Sequence, residues 1–319
     1  MKNVSELTDF YYKNLYPTLS ELEKDRKQLR SRIILIGIAY SFIVGLIAFS
    51  LLSILNFETL AFIGIGYVGI GGFIYKFLVK DYTKEFKEKI IKPLINALDE
   101  RLTYTASLHV PQRTFERSQL FTQTIDRMSG NDFVRGKIDS IDIQFSDIHA
   151  EERHKDSKGN TSWSTIFQGL FIVSEFNKTF HAKTIILPDT AQSTFGDLVG
   201  GWLQSKNMSR DELVKMDNIE FEKKFVVYST DQVEARYILS HTLMEKLLLF
   251  SKKSKHPLHI SFVGKFIHMA IEYNKDLFEP SIFHSLLEYK IAMEYVKTLH
   301  LAIGIVEELK LNQKLWSKR

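Results

Sequence analysis

Ten histidines and 38 carboxylates are the groups of this chain that could hold a metal or move a proton, and their spacing decides what they offer. His256-Pro257-Leu258-His259 sets two imidazoles where a loop meets a strand, but no nearby acid completes the ligand set that zinc takes. Both read as structural or surface histidines. His149 and His154 flank Glu151 and Glu152, a local group of possible ligands. They lie in or beside the most polar loop of the chain, 151–164 with Lys158-Gly159-Asn160, which reads as a surface segment rather than an ordered metal site. The chain has no cysteine, which excludes disulfides, thiolate zinc sites, iron–sulfur clusters and cysteine nucleophiles. It has no G-x-S-x-G elbow, H-E-x-x-H or P-loop. Gly200-Gly201, with no Lys-Ser/Thr pair after it, reads as a turn. Arg236, near Glu234, reads as half of a buried ion pair, with reception of a phosphate as the alternative. The phenylalanines Phe167, Phe171, Phe176, Phe180, Phe221 and Phe225, with Tyr228, lie on expected strands and read as core. No catalytic residue, metal ligand or cofactor site follows from these patterns.

The elements that position these residues begin with two apolar runs. Residues 33–57 carry no charge and form no continuous polar face, and Glu58 separates them from a second uncharged run, 59–75, that extends through Lys76 to position 79. A helical span needs about 20 apolar residues, so the expected spans are 33–55 and 59–79, a transmembrane hairpin. Lys76 can keep its stem in lipid and its ammonium at the interface. Gly64-Ile65-Gly66-Tyr67-Val68-Gly69 matches the dinucleotide fingerprint G-x-G-x-x-G, but that motif requires a strand before it and an acid about 20 residues on. Inside an apolar span it is not a cofactor loop.

Basic residues flank the spans asymmetrically. Lys24, Arg26, Lys27, Arg30 and Arg32 precede the first, Lys76, Lys80, Lys84, Lys87, Lys89 and Lys92 follow the second, and the connecting loop has none. The positive-inside rule then puts both termini in the cytoplasm. Small residues recur along the spans at Gly37, Ser41 and Gly45 and at Gly66, Gly69 and Gly72, faces on which helix backbones can pack closely. Residues 1–32 read as a cytoplasmic amphipathic helix with Leu7, Tyr11, Leu15, Leu19 and Leu22 on one stripe and a bend at Pro17. Residues 80–130 read as a juxtamembrane helix and linker. Its stripe is Tyr82, Phe86, Ile90, Leu94, Leu98 and Leu102, its bend is at Pro93, and Lys80, Lys84, Lys87, Lys89 and Lys92 form a basic face. That face suits anionic headgroups, while the stripe suits packing of the two flanking helices on each other.

Residues 131–319 read as an α+β domain with an antiparallel sheet. Expected strands are 141–145, a hairpin of 166–176 and 180–187 turning near Asn177, a strand at 219–228, and a hairpin of 258–263 and 266–273 around Gly264. Asp231 with Glu234 forms a capping-box pattern for one helix, Thr242 with Glu245 opens another that ends near Lys253, and a long C-terminal helix runs over 280–311.

Phe167-Gln168-Gly169-Leu170-Phe171, Phe176-Asn177-Lys178, Phe221-Glu222-Lys223-Lys224-Phe225-Val226-Val227-Tyr228, the run from Asp231 to Leu239, and Leu277-Phe278-Glu279-Pro280 resemble a bacterial family, domain-of-unknown-function family 3137. The likeness covers roughly 80–280. It implies a membrane-anchored protein of the bacterial inner membrane, encoded in many cases near LemA-type membrane proteins, and it supplies no catalytic residues. The +4 net charge is too small to imply nucleic acid. The expected function is a membrane-anchored cytoplasmic binding or scaffold protein that meets membrane lipids and another membrane protein or itself. The alternatives are a lipid-headgroup-binding module and a membrane-bound hydrolase whose site the sequence does not reveal.

Overall fold

The computed structural model describes residues 3–50, 57–138, 141–175, 179–189, 212–254, 256–273 and 276–288, with 293, 296, 297 and 300. They fall into two units, one built from Ser5–Leu94 and Phe278–Val296 and the other centred on Ile95–Leu277.

In the first unit, α1 runs unbroken over Val4–Ser50. The second helix, α2, runs through Phe57–Phe86, a π turn at Lys87–Ile91 and a last stretch, Lys92–Leu98. A matching π turn lies at Tyr11–Leu15 in α1. Pro17 and Pro93 stand just past these two turns. A proline ring crowds the carbonyl four residues back and removes a donor, and widening the preceding turn lets the helix carry on where the sequence suggested a bend.

The apolar stretches of α1 and α2 are long enough to cross a membrane and none of their apolar windows is buried. Leu35, Phe42, Phe49, Phe62, Phe73 and Phe77 are all exposed. A core helix of a soluble protein hides such a surface, whereas lipid solvates it. The two helices therefore point to membrane association.

Outside the apolar stretches the same helices bury one stripe each. Leu7, Tyr11, Leu15, Leu19 and Leu22 of α1 and Tyr82, Phe86, Ile90, Ile91 and Leu94 of α2 are all within 6% of full burial. Tyr82 donates its hydroxyl to the Leu22 carbonyl at 3.4 Å. The long C-terminal helix does not begin at Pro280 as expected. Residues 280–288 run in bends and turns, because their backbone groups are met by side chains instead of a helical ladder: the Ile282 carbonyl accepts from Arg26 and the Leu286 N–H donates to Glu23. The remainder of 280–311 lies almost wholly outside the described residues.

The second unit is a nine-stranded antiparallel sheet. Its strands are β1 (Leu102–Thr105), β2 (Arg127–Ile138), β3 (Ile141–Lys155), β4 (Thr161–Glu175), β5 (Thr184–Pro188), β6 (Glu212–Val214), β7 (Phe225–Ser229), β8 (Leu258–Val263) and β9 (Phe266–Glu272). The spatial order is β1-β2-β3-β4-β9-β8-β5-β7-β6. Among the described residues four short helices accompany them: α3 (Gln112–Arg117), α4 (Ile219–Glu222), α5 (Gln232–Ile238) and α6 (His241–Ser254). On one face of the sheet the segment carrying α3 lies over Phe167 and Phe171. Phe115 packs 5.8 and 4.8 Å from those rings and Phe121 sits 5.2 Å from Phe167, giving a core that continues through Val173, Ile185, Tyr228 and Ala270.

Several expectations change here. The sheet begins at Leu102, inside what read as a linker. The polar stretch 151–164 is not a loop: β3 and β4 pair through Lys155↔Thr161, and the turn is confined to 156–160, where Asp156 accepts from Lys158 and Asn160. β4 and β5 do not form a hairpin, since β4 pairs with β3 and β9 and β5 with β7 and β8. Asn177, the expected turn, lies outside the described residues. The strand expected over 219–228 is split into α4 and β7, with Asn218 capping α4 through Phe221 N–H. The Gly264 hairpin of β8 and β9 holds, with Gly264 at φ +59 supplying the turn. Asp231 caps α5 through the Val233 and Glu234 N–H groups.

Candidate functional site

Among the described residues the sheet unit carries an open cleft of about 550 Å³. It lies on the face that α3 covers, where that cover runs out. Register builds it from two rows of side chains. Thr103 pairs with Arg135, Arg135 with Gln144 and Gln144 with Val173; one step along, Lys137 pairs with Asp142, and Glu175 with Phe266. Residues two apart on a strand point to the same face, so Arg135 and Lys137, Asp142 and Gln144, and Val173 and Glu175 meet there. Arg101 joins them from the chain just before β1. Gly136 lies between the two basic residues because a Cβ at that position would strike the Arg101 carbonyl.

The charges differ in how they are held. Arg101 donates to both Asp99 oxygens, at 2.9 and 2.6 Å, and this pushes the Asp99 carboxyl down to about 2. Lys137 and Asp142 pair at 3.2 Å. Among the described residues, the Arg135 guanidinium and the Glu175 carboxylate have no partner. Val173, 2% exposed, and half-buried Phe266 supply an apolar floor. Behind Phe266, His268 is buried, bonded to Ser261 at 3.3 Å, and held neutral with its pKa lowered to about 4 by burial.

The histidines singled out in the sequence are dispersed. His259 pairs with Glu272 at 2.7 Å under Phe121, and His256 lies against the Tyr273 ring. His149 bonds Thr165 and His154 bonds Ser164. Glu151 is taken by Arg127 at 2.6 Å, which holds its carboxyl below the usual range, and Arg127 in turn lies 4.3 Å over the Trp163 ring. Among the described residues no group of three metal-ligating side chains occurs. Glu234 does not pair with Arg236; it accepts from the His181 and Ala182 N–H groups, while Arg236 reaches the Lys215 carbonyl and Gln232. Gly200-Gly201 lies outside the described residues.

Of the basic face, Lys80, Lys84, Lys89 and Lys92 are exposed, Lys89 and Lys92 pairing with Glu85 and Glu88 one turn back. Lys87 is a correction: it is buried and paired with Glu279 at 2.6 Å, because it falls on the side of the π turn that faces the packed stripe. The helix-packing residues are also redistributed. Gly37, Gly45, Gly66, Gly69 and Gly72 have open space where a Cβ would stand. The contact between the spans is made instead by Tyr40 stacked on Tyr67 at 5.0 Å, by the Tyr40 hydroxyl on the Tyr67 carbonyl, by Ser41 with the Tyr67 hydroxyl at 2.7 Å, and by Gly71 under the Tyr40 ring. Only Ser41 of the expected residues takes part, since tyrosines separate the backbones further than glycines would. The cleft escaped the sequence reading altogether. Its one local sign was the alternation Arg135-Gly136-Lys137, in a strand that the glycines concealed.

Residues 165–311 match the family described as "Protein of unknown function (DUF3137)". No curated protein matches the chain. Among solved structures it is similar to the crystal structure of the mycobacterial trehalose monomycolate transport factor A, TtfA, at 9% identity and a TM-score of 0.33, over 65% of this chain and 90% of that one.

Proposed function

We propose that this chain, which over residues 165–311 matches the DUF3137 family, is a membrane-anchored binding or scaffold protein of the bacterial inner membrane, multi-pass, with both termini in the cytoplasm. The observation that carries the reading is the pair of helices whose long apolar stretches are left unburied, joined in one chain to a nine-stranded sheet that holds an open cleft. The basic residues on both outer flanks of the hairpin support the inward orientation. Confinement to the bilayer raises the effective concentration of the sheet unit for a partner in the same membrane. The family resemblance makes a LemA-type membrane protein the first partner to try, with a second copy of the chain next.

A second reading, a lipid-headgroup module, is favoured by the exposure of Lys80, Lys84, Lys89 and Lys92. Lys87, buried on Glu279, belongs to the packing of its own unit.

Fractionation tests the first reading. The full-length chain should remain in the pellet after an alkaline carbonate wash, and a cytoplasm-active reporter fused after Arg319 should be active. Recovery in the supernatant, or activity of a periplasm-specific reporter at that position, sinks it. Partner capture that survives high salt supports the scaffold. Binding of the full-length protein to anionic lipid that falls when Lys80, Lys84, Lys89 and Lys92 become Gln supports the headgroup reading instead.

A further inference from the structure

We infer that the cleft between β1 and β9 binds a small zwitterion, an oxyanion joined to an amine by a short apolar linker, with Arg135 taking the anion and Glu175 the amine. The inference rests on reading the chain as a binding module and not on its anchoring, so a failure here leaves the fractionation result standing.

Three observations point to this ligand. First, the fixed charges of the cleft cancel except for two. Arg101 is occupied by Asp99 and Lys137 by Asp142, and among the described residues only Arg135 and Glu175 of the lining charges are left without a partner. A guanidinium offers a planar fork that fits a carboxylate or a phosphate; a lone carboxylate accepts from an ammonium. Second, the two stand at opposite corners. Arg135 is on β2 and Glu175 on β4, two strands away and one side-chain row along, which separates their Cα atoms by roughly 12 Å from standard strand spacing. Their side chains reach inward from that distance, so the ligand's charges must be set apart along a linker, not concentrated on one atom. Third, the ground between them is apolar at Val173 and Phe266, with Gln144 as the polar group beside it. A doubly charged anion would place its second charge against Glu175 and Asp142, and a simple cation would meet Arg135. The charge pattern rejects both.

The oxyanion can be the carboxylate of a free amino acid or the phosphodiester of an ethanolamine headgroup, and two arms of one experiment separate these sources. Purified full-length protein in detergent is titrated calorimetrically with glycerophosphoethanolamine, with γ-aminobutyrate and with glycerophosphate, which lacks the amine. At least one amine-bearing probe should bind. Arg135→Gln should weaken it about tenfold, the loss expected when one charge-assisted contact goes. Glu175→Gln should weaken it similarly while leaving glycerophosphate unchanged or tighter. Both residues are solvent-accessible and both variants should melt with the wild type. The protein is then placed in nanodiscs of phosphatidylethanolamine or phosphatidylcholine. A soluble-probe affinity that falls only in the phosphatidylethanolamine discs assigns the site to the headgroup; equal affinities assign it to a free solute. The inference is overturned if no amine-bearing probe binds at millimolar concentration, or if binding is the same in Arg135→Gln.

Discussion

Glu23 and Arg26, one turn apart on α1, form a buried ion pair at 2.7 Å whose remaining bonds hold the backbone of Ile282 and Leu286. The pair thus ties a segment more than 250 residues away in sequence to the base of the first apolar helix. Burial alone would raise the Glu23 carboxyl. The Arg26 guanidinium and the Leu286 N–H outweigh it and hold the carboxyl below its usual value.

Removing one partner leaves the other charge buried and unmet, which costs about 3–5 kcal/mol. Arg26→Met should therefore lower the melting temperature strongly and make the segment near Leu286 sensitive to protease. The double change Glu23→Leu with Arg26→Met should recover much of the loss, because no orphan charge remains. A double variant as unstable as the single one would contradict this account.

The apolar hairpin gives a test of which residues hold it. Gly37→Ala, Gly69→Ala and Gly72→Ala should each change stability by less than about 0.5 kcal/mol, since each Cβ enters open space. Tyr67→Ala should loosen the hairpin, losing the stack on Tyr40 and the Ser41 bond. The chain's lack of cysteine permits a direct readout: a Tyr40→Cys, Gly71→Cys double variant should crosslink within one chain with a bifunctional thiol reagent long enough to replace the Tyr40 ring.

Gly136→Ala should detach β1 from β2. The new methyl meets the Arg101 backbone, which has no flexible end to move aside, and overpacking of this kind costs about 1–3 kcal/mol. Hydrogen exchange should quicken at residues 102–105 while β8 and β9 stay protected.

His268 predicts a pH dependence. Its folded pKa of about 4 lies below the ordinary value of 6.5, so the unfolded chain binds the proton first as pH falls. The contribution is complete above about pH 6.5 and is lost between there and pH 4, amounting to about 3 kcal/mol in all. Denaturant melts from pH 7.5 to 4.5 should show this loss. His268→Leu should flatten the curve over that range, and an unchanged slope would place the titration elsewhere.

What could be read from residues alone divides along physical lines. Lipid imposes its demand on composition, so the apolar runs 33–57 and 59–79 are visible without any fold. The stripe of Tyr82, Phe86, Ile90 and Leu94 is visible because helix packing repeats every turn. Gly264 marks its hairpin because a local backbone angle requires it. β2 was hidden, since Gly130 and Gly136 answer to close backbone neighbours on β3 and just before β1, and Asp132 to the Tyr104 hydroxyl on β1, instead of to strand propensity. The β4–β5 hairpin was misread because adjacency in the chain is not adjacency in the sheet: β9 and β8 stand between. The cleft gathers residues from Arg101 to Phe266 by register alone, and no spacing along the chain announces it.

Among the described residues the outermost strands of the sheet are its shortest, four residues in β1 and three in β6, although β2 has 12. Such stubs leave few backbone groups open to pairing with another molecule. Edges this short are poor templates for pairing between copies, a tolerance that matters more where molecules are gathered on a membrane surface than where they diffuse freely.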